Sequence, residues 1–158
     1  MSIDERSFKK ALGCFASGVA VMTATDPAGR PVGVTVSAFA SLSLTPPLIL
    51  FCLDRRTTGL EVFRTGPFAV NILREDQREL SIRFASRRDD KFAGIECRTG
   101  TTGVPLLPHC LAALECSTER VADGGDHEII IGRVEHMEYQ TGGQPLLYFR
   151  GAYARIES

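Results

Sequence analysis

Along most of this chain hydrophobic and polar positions alternate in short blocks, and helical spacing surfaces only three times. Phe8, Ala11, Leu12 and Phe15 share one helical face behind Ser2 and Glu5, which have capping-box spacing. A first amphipathic helix is therefore expected to run to about Ser17-Gly18 and to pack on a neighbour. Residues 19–25 alternate β-branched with smaller side chains, Asp26-Pro27-Ala28-Gly29 has the composition of a type I turn, and residues 31–37 return as a hairpin arm. After Pro46-Pro47, residues 48–53 are apolar without alternation, the pattern of a strand covered on both faces. Thr58 and Glu61 repeat the capping-box spacing before a short helix that Gly66-Pro67 must stop, and residues 68–72 read as the next strand. Residues 75–85 carry Leu80 and Phe84 at i,i+4 among charges, which predicts a helix lying on the surface. Glycines and prolines then break every run up to Pro108, leaving loop with one short strand. Residues 111–121 and 127–139 are two long strand patterns about the turn Ala122-Asp123-Gly124-Gly125-Asp126, and Gly132 marks a bulge or a close backbone approach. A last strand spans residues 146–149, and the remainder to Ile156 trails the sheet edge. With no βαβ rhythm and no GxGxxG after a strand, the order excludes a Rossmann domain. It favours a mainly β, β-rich α+β protein, an antiparallel barrel with helices packed on it.

Composition narrows this reading only slightly. At 158 residues the chain is expected to form a single domain over residues 1–158. It is long enough to bury roughly 70% of the surface its unfolded form would expose. Apolar residues at 44% and charged residues at 23% are ordinary for a soluble globular protein. A net charge of −1 offers no field for nucleic acid or an anionic membrane, so neither is expected as a partner. The five cysteines, Cys14, Cys52, Cys97, Cys110 and Cys116, include no CxxC pair and no zinc-like spacing with a histidine. No metal site is therefore expected, and free thiols point to a reducing compartment. The charged start MSIDERSFKK has no apolar leader segment, and no run of eighteen apolar residues occurs, which together predict a cytoplasmic protein.

Chemistry concentrates in residues 33–58. The stretch opens on Thr35, Ser37, Ser41 and Ser43, passes through the apolar residues 48–51, and ends in Asp54-Arg55-Arg56-Thr57-Thr58. Small and hydroxyl residues at one end and anion-binding groups at the other suit a flat polar ring carrying a phosphate tail. Thr58 is expected to serve there as helix cap and ligand together, with the helix dipole favouring the anion. Asp54 opposes a phosphate unless it pairs with one of the arginines. His127 follows the Asp123-Gly124-Gly125-Asp126 turn at what would be a barrel rim. Cys14 and Cys52 have no base at readable spacing, which argues against thiol catalysis.

Several segments in the same order resemble the flavin reductase family, the small split-barrel reductase components of two-component flavin-dependent monooxygenases. They are Phe15-Ala16-Ser17-Gly18-Val19-Ala20-Val21, the run from Gly33 through Thr35, Ser37 and Ser41 to Pro46-Pro47, and Phe68-Ala69-Val70-Asn71-Ile72-Leu73. Arg83-Phe84-Ala85-Ser86, Lys91-Phe92-Ala93-Gly94, Gly125-Asp126-His127 and Pro145-Leu146-Leu147-Tyr148-Phe149 complete the set. The resemblance implies an antiparallel, Greek-key-like split β-barrel that binds FMN or FAD, works as a homodimer, takes hydride from NADH or NADPH, and supplies reduced flavin to a partner monooxygenase. It further implies ring-edge and ribityl contacts from Thr35, Val36, Ser37, Ala38 and Ser41. The phosphate tail would be held by Leu53, Asp54, Arg55, Thr57 and Thr58, with Ser86 and Arg87 contributing and Lys91 a further candidate. His127 would position the nicotinamide or a proton near the ring, while Tyr148, Phe149 and Arg150 would face the nicotinamide and its pyrophosphate. Two rival readings stand beside it: an FMN-bound reductase of ferric chelates or a cobalt corrinoid on the same barrel, and a flavin-binding protein without enzymatic activity.

Overall fold

The computed structural model of the protein describes residues 2–157. Helix α1 (Glu5–Leu12) is capped not by Ser2 but by Asp4, whose carboxylate accepts from the Ser7 N–H at 3.0 Å. It ends well short of Ser17, because the Gly13 N–H closes onto the Lys9 carbonyl and the chain then extends into β1 (Ser17–Gly18). Its apolar face carries no buried residue, and Phe8, Leu12 and the following Phe15 are 52, 58 and 83% exposed. Strands β2 (Ala20–Thr25) and β3 (Pro31–Val36) form the expected hairpin. Its turn is fastened by the Asp26 carboxylate, which accepts from the Ala28 and Arg30 N–H groups. There follow β4 (Phe39–Ser43), β5 (Leu48–Asp54), α2 (Leu60–Thr65), β6 (Phe68–Ile72) and α3 (Arg78–Ala85). The irregular stretch holds a small hairpin of two strands rather than one, β7 (Arg98–Thr99) and β8 (Pro105–Leu106). The long pair β9 (Ala112–Gly124) and β10 (His127–Tyr139) turns tightly at Gly125-Asp126.

Seven of these strands make one antiparallel sheet in the order β3-β2-β6-β9-β10-β5-β4. The two edge strands are neighbours in sequence, linked only by Ser37 and Ala38, so the sheet must curl until its edges meet at that corner. The Cys52 N–H donates to the Ala38 carbonyl there, at 3.0 Å. Register shifts at Ile131/Gly132 and Val134/His136 give the β9–β10 pair the bulges such a bend needs, with the extra residue on β9 (Glu119) at the first and on β10 (Glu135) at the second. The result is an antiparallel barrel split along one seam. The chain end does not trail this sheet. Instead β11 (Leu147–Phe149) and β12 (Ala152–Ala154) join β1 in a separate three-stranded sheet.

The barrel interior is filled by Met22, Ile49, Leu53 and Ile130 around Phe51, Phe63 and Phe68, whose rings meet edge-on at 5.1 to 6.4 Å. β5, expected to be covered on both faces, alternates instead: Ile49, Phe51 and Leu53 point in, while Leu48, Leu50 and Cys52 are half-buried on a face with no helix over it. The strands buried on both faces are β2 and β6; a second cluster including Val21, Leu73, Phe84, Leu107 and Leu146 lies against the outer side of β2, and Ala69 of β6 packs with Val104 and Leu106. Phe84 and Ser81 put one face of α3 wholly inside, so this helix is a wall rather than a surface ornament.

Between the layers lies Asn71, fully buried. Its amide donates to the Val21 carbonyl at 2.9 Å and to Thr23 Oγ1 at 3.0 Å, and its oxygen accepts from the Leu107 N–H at 3.0 Å. Asn71→Leu keeps the branched outline but strands the buried Leu107 N–H, and should cost about 2 kcal/mol. For a chain of this size that lowers Tm by roughly 4–8 °C in a thermal melt. An unchanged Tm would refute this role for Asn71. Burial also pushes the Cys110 thiol to about 11 and the Cys116 thiol to about 12, so both stay protonated. Among the described residues no helix is long and apolar enough to cross a membrane, and no cluster of metal-ligating side chains occurs.

Candidate functional site

β5 ends at Asp54, paired in register with His127 at the start of β10. The Asp54 carboxylate accepts from the Arg56 N–H at 2.8 Å and from its guanidinium at 3.1 and 2.9 Å, and the Thr57 N–H closes onto the Asp54 carbonyl. This is the pairing that lets an aspartate sit in an anion-binding turn. The Arg56 guanidinium holds the Asp54 carboxyl well below the usual carboxylate range, with His127 adding to the effect, so the turn keeps its charge pattern across neutral pH. Thr58 is not the cap of α2. That position is Gly59 at φ 85°, without a side-chain cap, and the helix has only six residues. The dipole argument for an anion therefore weakens, and the turn itself carries the chemistry.

The turn forms one wall of a cleft of about 370 Å³ lined by Asp54, Arg56, Thr57 and Thr58. β3 supplies the floor with residues 31–34, and the end of α3 with the following loop supplies Phe84 to Asp89, Lys91 and Phe92. Local sequence explains the approach of α3. A Cβ on Gly33 would stand 2.6 Å from the Phe84 ring, so only glycine admits the helix this closely. Lys91 then ties the loop down, donating to the Gly33 and Phe84 carbonyls at 3.2 Å each, and its burial pushes its pKa down. Ser86 donates to the Arg83 carbonyl at 2.6 Å, and Arg88 pairs with Asp90. Among the described residues the Arg87 guanidinium and the Thr57 and Thr58 hydroxyls have no hydrogen-bond partner. Four cationic side chains against two carboxylates, with spare donors, suit a ligand bearing a phosphate.

The remaining expected residues divide. Thr35 Oγ1 donates to the Ser81 carbonyl at 2.7 Å, and Val36 and Leu53 point their side chains into the core, so these two offer only backbone groups. Ser37, Ala38 and Ser41 are exposed at the corner where the barrel edges meet. Arg55 is not in the cleft. It bonds the Gly125 carbonyl, Glu128 and Asp123 instead. His127 is half-buried, with Nδ1 2.7 Å from the Asp126 carboxylate. Tyr148 stacks edge-on against Tyr153 at 5.4 Å, and the Tyr153 hydroxyl meets Ser81 Oγ at 2.7 Å. Ser81 thus joins Thr35 to the Tyr148 strand. Arg150 lies over the Phe149 ring at 4.9 Å, and its N–H donates to the Gly13 carbonyl beside a separate hollow that it lines with Arg6, Lys9 and Lys10. Ser81 and Tyr153 escaped the sequence reading, because a serine within a charged helix and a tyrosine in a trailing segment carry no spacing signal.

Residues 12–157 match the flavin reductase like domain. The chain is 44% identical, over 99% of its own length and 80% of the relative's, to the flavin-dependent monooxygenase reductase subunit HsaB of Rhodococcus jostii. It is 40% identical to the FMN reductase (NADH) SmoA of Agrobacterium fabrum, covering 97% of this chain and 87% of that one. It also superposes with a TM-score of 0.93 on the crystal structure of nitrilotriacetate monooxygenase component B from Mycobacterium thermoresistibile, at 41% identity over 98% of this chain and 87% of that one. Barrel, motif order and relatives therefore agree: the chain belongs to the flavin reductase family of oxidoreductases.

Proposed function

We propose that this reductase transfers hydride from NADH or NADPH to FMN or FAD and passes the reduced flavin to a partner flavin-dependent monooxygenase, acting as a homodimer in the cytoplasm. The observation that carries the reading is the convergence of residues 54–58 and 86–91 on one cation-rich cleft floored by β3. When bound, the flavin supplies the two-electron acceptor chemistry and the nicotinamide the hydride. The chain's own part is alignment. Arg87, Thr57 and Thr58 hold the phosphate tail, with Ser86 and the backbone of Leu53 and Asp54 beside them. Thr35, Val36, Ser37, Ala38 and Ser41 hold the ring edge. His127 and Tyr148 orient the nicotinamide, and Arg150 meets its pyrophosphate. The Agrobacterium relative, an FMN reductase (NADH), supports NADH as the donor. The uncovered face of α1 and the apolar outer side of β5 support self-association.

The test is a steady-state matrix of FMN and FAD against NADH and NADPH, followed at the nicotinamide absorbance band. Flavin-dependent oxidation of at least one nicotinamide is expected. Oxidation that requires an added ferric chelate or corrinoid, or no oxidation at all, overturns the reading.

A further inference from the structure

The turn at residues 54–58 is held from behind by a carboxylate. Glu128, the second residue of β10, is only 6% exposed and receives two guanidinium groups. Arg64 of α2 donates to it through Nε at 2.7 Å and Nη2 at 2.8 Å, and Arg55 through Nη1 at 2.9 Å. Arg55 also sends its backbone N–H to the Asp126 carbonyl at 3.0 Å, its Nε to the Gly125 carbonyl at 2.8 Å, and pairs with Asp123. Its neighbours Asp54 and Arg56 line the cleft, whereas Arg55 does not. Residues 54–56 thus alternate between the cleft and the β9–β10 hairpin, and Thr57 and Thr58 return to the cleft.

We propose that Glu128 is a positioning residue for flavin binding. By seating Arg55 against the hairpin it fixes the backbone of residues 54–58, and so aims Thr57 and Thr58 at the flavin phosphate. Without the carboxylate, the anion between two guanidinium groups is lost, and Arg55 is held only by exposed Asp123 and the Gly125 and Asp126 carbonyls, so its seat loosens. A ligand phosphate must then order the turn as it binds, which weakens binding at that end of the ligand only. The inference rests on the flavin reading above.

The test uses the full chain and compares FMN with riboflavin, which lacks the phosphate. Glu128→Gln should raise KM for FMN about five-fold, the size of a single coupled contact, with kcat and KM for riboflavin within about two-fold. Arg55→Lys keeps the charge but loses the fork, and should match it. Combining the two should be no worse than either alone, because both remove one arrangement. Equal rises for FMN and riboflavin, an unchanged KM for FMN, or additive effects would overturn the proposal, the last by making Arg55 a phosphate ligand in its own right. If Glu128→Gln does not fold, Arg55→Lys alone carries the expectation, and Arg64→Gln, which leaves the Arg55–Glu128 contact in place, should keep KM for FMN within about two-fold. Wild-type protein that reduces neither flavin would instead overturn the underlying reading.

Discussion

Replacing Arg87 by alanine should raise KM for FMN by roughly ten- to a hundred-fold while leaving KM for riboflavin nearly unchanged. The expectation comes from asking which cation of the cleft has anything left to give. Arg56 is engaged by Asp54, Arg88 by Asp90, and Lys91 by two backbone carbonyls. Arg87 lines the same cleft, and among the described residues it has no acceptor. A ligand phosphate can therefore take its guanidinium without breaking an existing bond. One charge-assisted hydrogen bond contributes about 1.5–3 kcal/mol, which sets the size of the loss. Because Arg87 is exposed, Tm should move little, so a binding effect cannot be mistaken for unfolding. Arg87→Lys should recover part of the affinity as a point charge without the bidentate fork. Equal losses for FMN and riboflavin would remove Arg87 from the phosphate and place it elsewhere on the ligand.

How much of this was readable in the chain differs by element, for physical reasons. β6 and β10 were legible to the residue, because Gly66-Pro67 fixes where β6 starts and β10 lies between the Gly125-Asp126 turn and Gly142-Gly143. The burial of β5 was misjudged because Leu48, Leu50 and Cys52 are apolar on the outside, so the sequence shows no alternation where the structure has it. β12 was invisible, since three residues of an Ala-Tyr-Ala segment contain no period. At the site, residue chemistry alone marked Asp54 to Thr58 as anion-binding, and the Asp54 pairing it required is present. It could not say which of two adjacent arginines faces the cleft. That depends on where the β9–β10 hairpin places Asp123 and Glu128, some seventy residues away. Ser86 and Arg87 were reached only through the family resemblance, and the Ser81 and Tyr153 contact spans 72 residues with nothing local to announce it.

The largest stability loss should come from Phe68→Ala, and it should reverse the effect of a second substitution. Phe68 is fully buried and meets Phe51 at 5.1 Å and Phe63 at 6.4 Å. Truncating such a ring costs about 3–5 kcal/mol, combining lost burial with an unfilled cavity. At this chain length that lowers Tm by roughly 6–20 °C. The ring tip also occupies the space over Gly132, where an added Cβ would lie 2.6 Å from Phe68 Cζ and 3.2 Å from Cys116 Cβ. Gly132→Ala alone should therefore destabilise by about 1–3 kcal/mol through overpacking, since Phe68 is packed among two other rings and has nowhere to go. In the Phe68→Ala background the same methyl enters vacated volume, so Gly132→Ala should be neutral or stabilising. Denaturant melts of the two single variants and the double variant decide it. A favourable coupling of 1 kcal/mol or more is the expected scale for residues in contact. Additive losses would mean that the strain at Gly132 lies in the backbone opposite the β9 bulge rather than in the phenyl ring above it.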